Sequence, residues 1–333
     1  MNGLSLIIPI YNVEDFIEEC LISIVKSMGE IPNIEIILVD DGSKDKSADI
    51  AMEFDRLHPN FIYVKKENGG LSDARNYGLK YAKYDYVGFI DSDDSITVDY
   101  FEEIFKSLKK KPDLVVFDWL DVDDTNYKNV VKGIDSSEDL WTMKPSAWNK
   151  VYKKSLFDEM EFPKGMIYED VGTVYKMIFN INEYVYINKP LYRYRKNRGG
   201  SILSTISPKI NDIYEVLDDT YLYYKKKKAL SELNIEGLCY QYVKLLLWSN
   251  MYRQLKFHKF NFIGFYKKMK ETRNVIYMKF PNWKNNIYLK KNAEYFRTRL
   301  GVNFIHNLDK IGKGFVNTFF VIILLIIRNN RRF

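Results

Sequence analysis

Short apolar runs alternate with amphipathic stretches through the first third of the chain. The runs are Leu4–Ile8, Ile34–Val39, Phe61–Val64, Tyr86–Ile90 and Leu114–Phe117. This alternation constrains the fold more than any other feature. Apolar runs of four to six residues, separated by stretches with helical spacing, predict strand–helix–strand units. Such units build a mostly parallel sheet covered by helices on both faces, an α/β architecture. Helices are expected over Val13–Met28, Lys46–Leu57, Ser72–Ala82 and Tyr100–Lys109. In the first, Phe16, Ile17, Cys20, Leu21, Ile24 and Val25 recur at helical spacing. Sheets of this kind take ligands beyond the carboxyl ends of their strands. Each polar cluster considered below in residues 1–94 lies at such an end or opens the helix after it.

With 333 residues, 46% hydrophobic and 28% charged, the chain can bury a real core and is not of disordered composition. Two cysteines, Cys20 and Cys239, have no metal-binding spacing and point to a reducing compartment. The start, "MNGLSLIIPIYN", lacks a basic leader and has Pro9 inside its apolar run, so it reads as a first core strand. Charge divides the chain. Residues 1–210 carry 27 Lys and Arg against 35 Asp and Glu, a net of −8; residues 211–333 carry 23 against 9, a net of +14. An acidic first part argues against nucleic acid there, while the basic part suits nucleic acid or anionic lipid. From Asn211 onward the strand signal fades. Tyr214–Lys228, Cys239–Leu255 and Phe262–Arg273 read as helices, with a break at Pro281–Asn286. Two parts are therefore expected, 1–210 and a mainly helical 211–333.

Three acidic or glycine-rich clusters follow the strands. After the second comes "VDDGSKDKS", with Asp40, Asp41, Gly42, Ser43 and Asp45. It is either a turn whose Ser43 or Asp45 caps the next helix, or a carboxylate aimed at a base N–H edge or a ribose hydroxyl. After the third comes "ENGGLSDARNYGL", where Asn68-Gly69-Gly70 makes a tight turn and Ser72 can cap the helix carrying Arg75 and Asn76. Arg75 near a helix N-terminus suits an anion; on a solvated face it would be ordinary. No Walker loop and no G-x-G-x-x-G is present, which counts against P-loop and NAD enzymes. After the fourth comes "FIDSDD", with Asp91, Asp93 and Asp94 within four positions. Such carboxylates repel one another. They form an acidic turn, or they bind Mg²⁺ or Mn²⁺, whose charge reverses the repulsion and which shares its shell with substrate phosphates.

In this order and spacing, "IIPIYN", "VDDGSKDKS", "NGGLSDARNYGL" and "FIDSDD" resemble family 2 of the inverting glycosyltransferases, which have the GT-A fold. "WNKVYKKSLF" (Trp148–Phe157), "YEDVGTVYKM" (Tyr168–Met177) and "PLYRYRKNRGGSI" (Pro190–Ile202) are similar to later blocks of the same family. The resemblance implies a nucleotide diphosphate-sugar donor, usually a UDP-sugar. Pro9, Tyr11 and Asn12 would line the nucleoside pocket, with Asp41 facing uracil. Asn68 and Arg75 would hold the base, ribose or phosphates. Asp91 and Asp93 match the D-x-D, with Asp93 on the Mn²⁺ or Mg²⁺ ion and Asp91 nearer the ribose. Trp148 and Asn149 would lie near donor and acceptor, or else in the core. Arg195, Arg198 and Ser201 fall where a loop closes over the diphosphate, one of the two arginines making the contact. Glu169 and Asp170 match the family's E-D pair, whose Asp is the catalytic base; on residues alone they would pass as a helix N-terminus.

The implied reaction is transfer of a sugar, with inversion, to a glycan or lipid-linked oligosaccharide in bacterial surface-polysaccharide synthesis. Two other classes are weighed beside it. A non-catalytic nucleotide-sugar scaffold would lack a base pair such as Glu169-Asp170. A sugar-1-phosphate nucleotidyltransferase would want a Gly-rich loop after the first strand, where this chain has "PIYNVEDF". Near the end of the chain, Phe315–Ile327 is almost wholly apolar and flanked by Lys310, Lys313, Arg328, Arg331 and Arg332. As a helix it would reach about 20 Å, short of a ~30 Å hydrocarbon core. It is expected to insert partly into, or lie at, the inner face of the cell membrane, from the cytoplasm, or else to be a core or subunit-contact helix. No nucleic-acid partner is expected, and an oligomer is left open.

Overall fold

In the computed structural model, which describes residues 3–123, 128–136, 139–196, 206–259, 261–292 and 304–329, β1 (Leu4–Ile10) and β2 (Ile34–Asp40) are buried along their whole length. Only a central strand covered on both faces shows that pattern, which is why both read as continuous apolar runs. β3 (Phe61–Lys65) lies beyond β2, and β4 (Tyr86–Phe89) on the other side of β1, all parallel. Past β4 the pairing becomes mixed. β8 (Lys150–Lys153) runs antiparallel to both β4 and β6 (Leu114–Val122). β9 (Tyr184–Arg195) runs parallel to β6 and antiparallel to the short β5 (Ser95–Ile96), while β7 (Lys128–Val131) is a hairpin partner of β6. The order is β3-β2-β1-β4-β8-β6-β9-β5. The sheet is thus parallel where the strand–helix alternation predicts it and mixed beyond.

The helices are α1 (Ile17–Met28), α2 (Ser47–Leu57), α3 (Leu71–Leu79), α4 (Tyr100–Leu108) and α5 (Glu169–Met177). α1 buries Ile17, Cys20, Leu21, Ile24 and Met28, the stripe its spacing predicts, and stops at Gly29 with φ of 52°. α3 packs hard on β1. A Cβ at Gly78 would stand 2.5 Å from Ile7 Cγ2, inside the core. Strand order reverses between β1 and β4, the crevice where such sheets take ligands. Pro9 helps open it. Ile7 C=O accepts from Ile90 N across this gap, and Pro9, two residues on, faces the same side beyond the last β1–β4 pair. Its missing N–H therefore breaks no ladder bond.

Two compact units are distinguished, Met1–Ser201 and Ile202–Phe333. The second is helical: α6 (Asp212–Lys226), α7 (Glu232–Tyr242), α8 (Met251–Phe257), α9 (Phe262–Lys279) and a terminal helix, Phe315–Asn329. The single helix expected over Cys239–Leu255 is α7, a π-helical stretch Val243–Ser249, and α8. Almost every residue from Leu238 to Trp248 is buried, so no one-sided apolar period is there to mark the change of winding. The expected break near Pro281 is a 3₁₀ turn, Trp283–Asn285, whose Trp283 is buried beneath it.

Candidate active site

The turns after β1 and β2 are laced together. Asn12, in the left-handed region at φ 49°, accepts from Lys44 N through Oδ1 at 2.8 Å. Ser47 Oγ accepts from Val13 N at 2.8 Å, and Asp45 accepts from Glu14 N and Ser47 N, each at 3.0 Å. Tyr11, beside them, is 45% exposed. Asp41, expected to face the donor's base, is buried, and its carboxylate holds the next turn. It accepts from Gly69 N at 2.9 Å and Gly70 N at 2.7 Å, with Lys66 Nζ at 2.5 Å. Asn68 Nδ2 donates to Asp41 O at 3.0 Å. This corrects the expected Ser72 cap. α3 starts one residue earlier at Leu71, with Gly70 at φ 86° as its N-cap, and Ser72 lies buried inside the first turn.

The three carboxylates after β4 find three fates. Asp91 pairs with Arg75 Nη2 at 2.8 Å. Asp94 is 2% exposed and accepts from Tyr192 Oη and Arg195 N, both at 2.7 Å. Burial, then the charges of Asp93 and Asp91, push its acid well above the usual carboxylate range. Asp93 is half-buried between them, its carbonyl accepting from Arg195 Nε at 3.1 Å. Arg195 ends β9 and also pairs with Glu19 at 2.6 Å, so it is fixed against the acidic turn. Arg198 and Ser201 lie outside the described residues.

Trp148 and Asn149, expected near donor and acceptor or else in the core, are both buried. Trp148 is buried, stacked on Tyr192 at 4.4 Å and Tyr194 at 5.4 Å, with Trp119 edge-on at 4.9 Å. Asn149 is wholly buried, donating to Phe117 O at 3.0 Å and accepting from Ser146 Oγ and Lys150 Nζ. Three of the four hydrogen-bonding positions of this amide are taken up inside the protein.

Arg75 is the hub. It is 1% exposed, and its Nη1 donates to Asp170 Oδ1 at 2.7 Å and Glu169 Oε1 at 3.1 Å. One guanidinium thus joins the D-x-D to the E-D pair. Burial opposes its charge, but Asp170, Asp91 and Glu169 outweigh that and raise its pKa. Asp170 Oδ2 accepts from Ala147 N at 3.0 Å, so both of its oxygens are held. Burial raises the Asp170 pKa against the pull of Arg75, and burial with the neighbouring Asp170 charge lifts Glu169 to about 7. Tyr168, just before the pair, has a left-handed backbone at φ 68°, a strained conformation for an aromatic residue.

Lys150 is a site residue that sequence reasoning missed. It is wholly buried, donates to Lys144 O at 2.6 Å and Ser146 O at 2.8 Å, and so shapes the loop that presents Ala147 N. Burial pushes its pKa down to about 7. In "NKVYKK" nothing separates it from the exposed Lys153 or the half-buried Lys154.

Among the described residues no group of three or more His, Cys, Asp and Glu is placed to hold a metal ion. Mg²⁺-type sites on nucleotide substrates need fewer: one or two carboxylates, with phosphate and water oxygens completing the shell. Asp93 and Asp91, hard donors at the rim of the crevice, fit that smaller set.

Comparison with known proteins adds the following. The family model for Glycosyl transferase family 2 matches residues 5–177. The chain is 35% identical over 219 residues to Glycosyltransferase GlyA of Streptococcus pneumoniae serotype 4, covering 60% of this chain but only 31% of GlyA. It is 32% identical over 266 residues to Glycosyltransferase GlyG of the same organism, covering 73% of this chain and 86% of GlyG. Among solved structures, TarS 1–349 of S. aureus in complex with UDP-GlcNAc aligns with a TM-score of 0.65 at 22% identity, over 96% of this chain and 90% of that one. At that identity the likeness shows a shared fold.

Proposed function

The chain belongs to glycosyl transferase family 2, and from that premise we propose that it is an inverting transferase moving a sugar from a UDP-sugar to a hydroxyl of a glycan or lipid-linked oligosaccharide. One observation carries the reading: Arg75 ties Asp91, at the strand end where a donor would sit, to Glu169 and Asp170. The same Glu169-Asp170 pair weighs against a non-catalytic scaffold. The UDP-GlcNAc bound by TarS supports a UDP-sugar donor.

In this reading residues 1–210 form the catalytic domain. Pro9, Tyr11, Asn12 and Asn68 line the nucleoside pocket, Asp41 holds its floor, and Asp91 takes the ribose. Arg195, with Arg198 and Ser201 beyond it, borders the diphosphate. A Mn²⁺ or Mg²⁺ ion held by Asp93, with Asp91 beside it, would offset the charge growing on the departing diphosphate. Asp170 accepts the proton of the acceptor hydroxyl as that oxygen attacks the anomeric carbon from the opposite face. A single displacement inverts the centre, with no covalent sugar–enzyme intermediate. A metal-bound diphosphate needs no general acid, unlike the poor leaving group of a glycoside.

The second unit supplies the proposed placement. Among the described residues no helix is long and apolar enough to cross a membrane. The terminal helix nevertheless exposes Phe315, Val316, Phe319 and Phe320, while Thr318, Val321 and Ile322 are buried. Exposed rings on a strongly basic unit suit the anionic inner face of the cell membrane, where a lipid-linked acceptor would be found. The test is a panel of UDP-sugars with Mn²⁺, reading UDP release and melting temperature. Release from one or more donors supports the assignment; no release and no thermal shift with any of them counts against it.

A further inference from the structure

Resting on the assignment of Asp170 as the base, we infer that Arg75 and Asn76 are positioning residues that clamp the segment 161–170 in place, and that neither is a nucleotide ligand. Three of the five N–H donors of Arg75 are committed to protein carboxylates, and the side chain is 1% exposed. Nη1 serves Glu169 and Asp170, Nη2 serves Asp91, and Nε is buried without a hydrogen-bond partner. The Phe162 ring lies 5.2 Å and the Phe89 ring 5.9 Å from its guanidinium carbon, excluding water around it.

Asn76, the next residue, grips the same segment by its backbone. Its Nδ2 donates to Phe162 O at 2.8 Å and its Oδ1 accepts from Phe162 N at 2.9 Å. Asp73, one turn back, pairs with Lys164 at 2.5 Å. Three residues of α3 thus hold three points of one segment. That segment needs holding, because it turns through two left-handed residues, Gly165 at φ 77° and Tyr168 at φ 68°. The helix itself cannot shift easily. Asp41 pins its start through Gly69 N and Gly70 N, and Gly78 lies flat on Ile7. α3 therefore spans from the donor's turn to the base and fixes one relative to the other.

Such a clamp acts on turnover and leaves nucleotide binding alone. Arg75→Lys keeps the charge but loses the planar fork whose two separate nitrogens reach Asp91 on one side and Glu169 and Asp170 on the other. Asn76→Ala removes only the grip on Phe162. In the full-length chain, each should lower kcat for UDP-sugar turnover by roughly 10- to 100-fold, with UDP affinity in calorimetry within about twofold of wild type. UDP affinity lost with kcat retained at saturating donor would overturn the inference, making Arg75 a nucleotide ligand. Hydrogen exchange reads the clamp without turnover, should Arg75→Lys fail to fold or no donor be turned over. Asn76→Ala should speed exchange across 161–170 while β1 stays protected; unchanged exchange there overturns the clamp. Near wild-type turnover by Asp170→Asn would sink the base assignment instead, a distinct outcome.

Discussion

Arg75 and Asp170, 95 residues apart in sequence, meet at 2.7 Å in the crevice beyond β1 and β4, and the same guanidinium holds Asp91 at 2.8 Å. Five carboxylates, Asp91, Asp93, Asp94, Glu169 and Asp170, crowd this end of the sheet, and their mutual repulsion is handled locally. Arg75 neutralises part of it, and burial with hydrogen bonds absorbs Asp94.

Asp93 is the D-x-D carboxylate proposed to hold the Mn²⁺ or Mg²⁺ ion. Asp93→Ala should weaken Mn²⁺-dependent binding of UDP by at least about tenfold, while binding without the metal, measured by the same calorimetry, stays as it was. Equal metal-dependent affinity in variant and wild type would remove Asp93 from the metal assignment.

The pH dependence follows from the E-D pair. Burial and like charge raise the Glu169 acid to about 7 and raise Asp170 as well. A base must be ionised to accept a proton, so with the Asp170 acid raised by burial the acid limb of kcat/KM should lie above the ordinary carboxylate range. The sign for stability is opposite. The folded state binds the Glu169 proton more tightly than the unfolded chain, so that contribution is full below about 4.5 and lost as pH rises through about 7. Glu169→Gln removes the neighbouring negative charge and should move the acid limb of the rate profile downward. A limb that stays put would separate Glu169 from the titration.

Packing gives a test independent of chemistry. Gly78→Ala places a methyl 2.5 Å from Ile7 Cγ2, in a core with no slack. The expected loss is about 1–3 kcal/mol in denaturant unfolding of the whole chain. A neutral result would mean that α3 can lift from β1.

For the membrane, removal of residues after Gly314, or Phe319→Glu with Phe320→Glu, should abolish pelleting with vesicles rich in phosphatidylglycerol. Vesicles of neutral lipid should pellet little of either protein. Pelleting unaffected by these changes would assign the exposed rings elsewhere.

Much of the first unit is legible in the sequence because each strand there is a closed apolar run with a helix on either side. β1 to β4 and α1 to α4 are found within a few residues of their expected bounds. β6 extends five residues past the expected Phe117, to Val122. Its later part, "DWLDV", mixes charge with apolar residues, and β7 and β9, far off in sequence, stabilise it. Charge clusters mark where a site is but not how its members divide. Asp91, Asp93 and Asp94 look alike in "DSDD"; Arg75, Tyr192 and the Arg195 backbone distinguish them, and all three are remote. Ser72 is an ordinary cap by local rules, yet Asp41 claims the turn before it and shifts the helix start to Leu71. Asn149 and Lys150 satisfy each other inside the core, a pairing that no spacing announces.

The most direct test compares UDP release from a UDP-sugar, with Mn²⁺, between wild type and Asp170→Asn. Folding and UDP affinity are checked alongside. Loss of the general base should lower turnover by roughly 10²- to 10⁴-fold with UDP binding intact. Turnover close to wild type in a folded Asp170→Asn protein would contradict the assignment of this crevice as the place where the sugar is transferred.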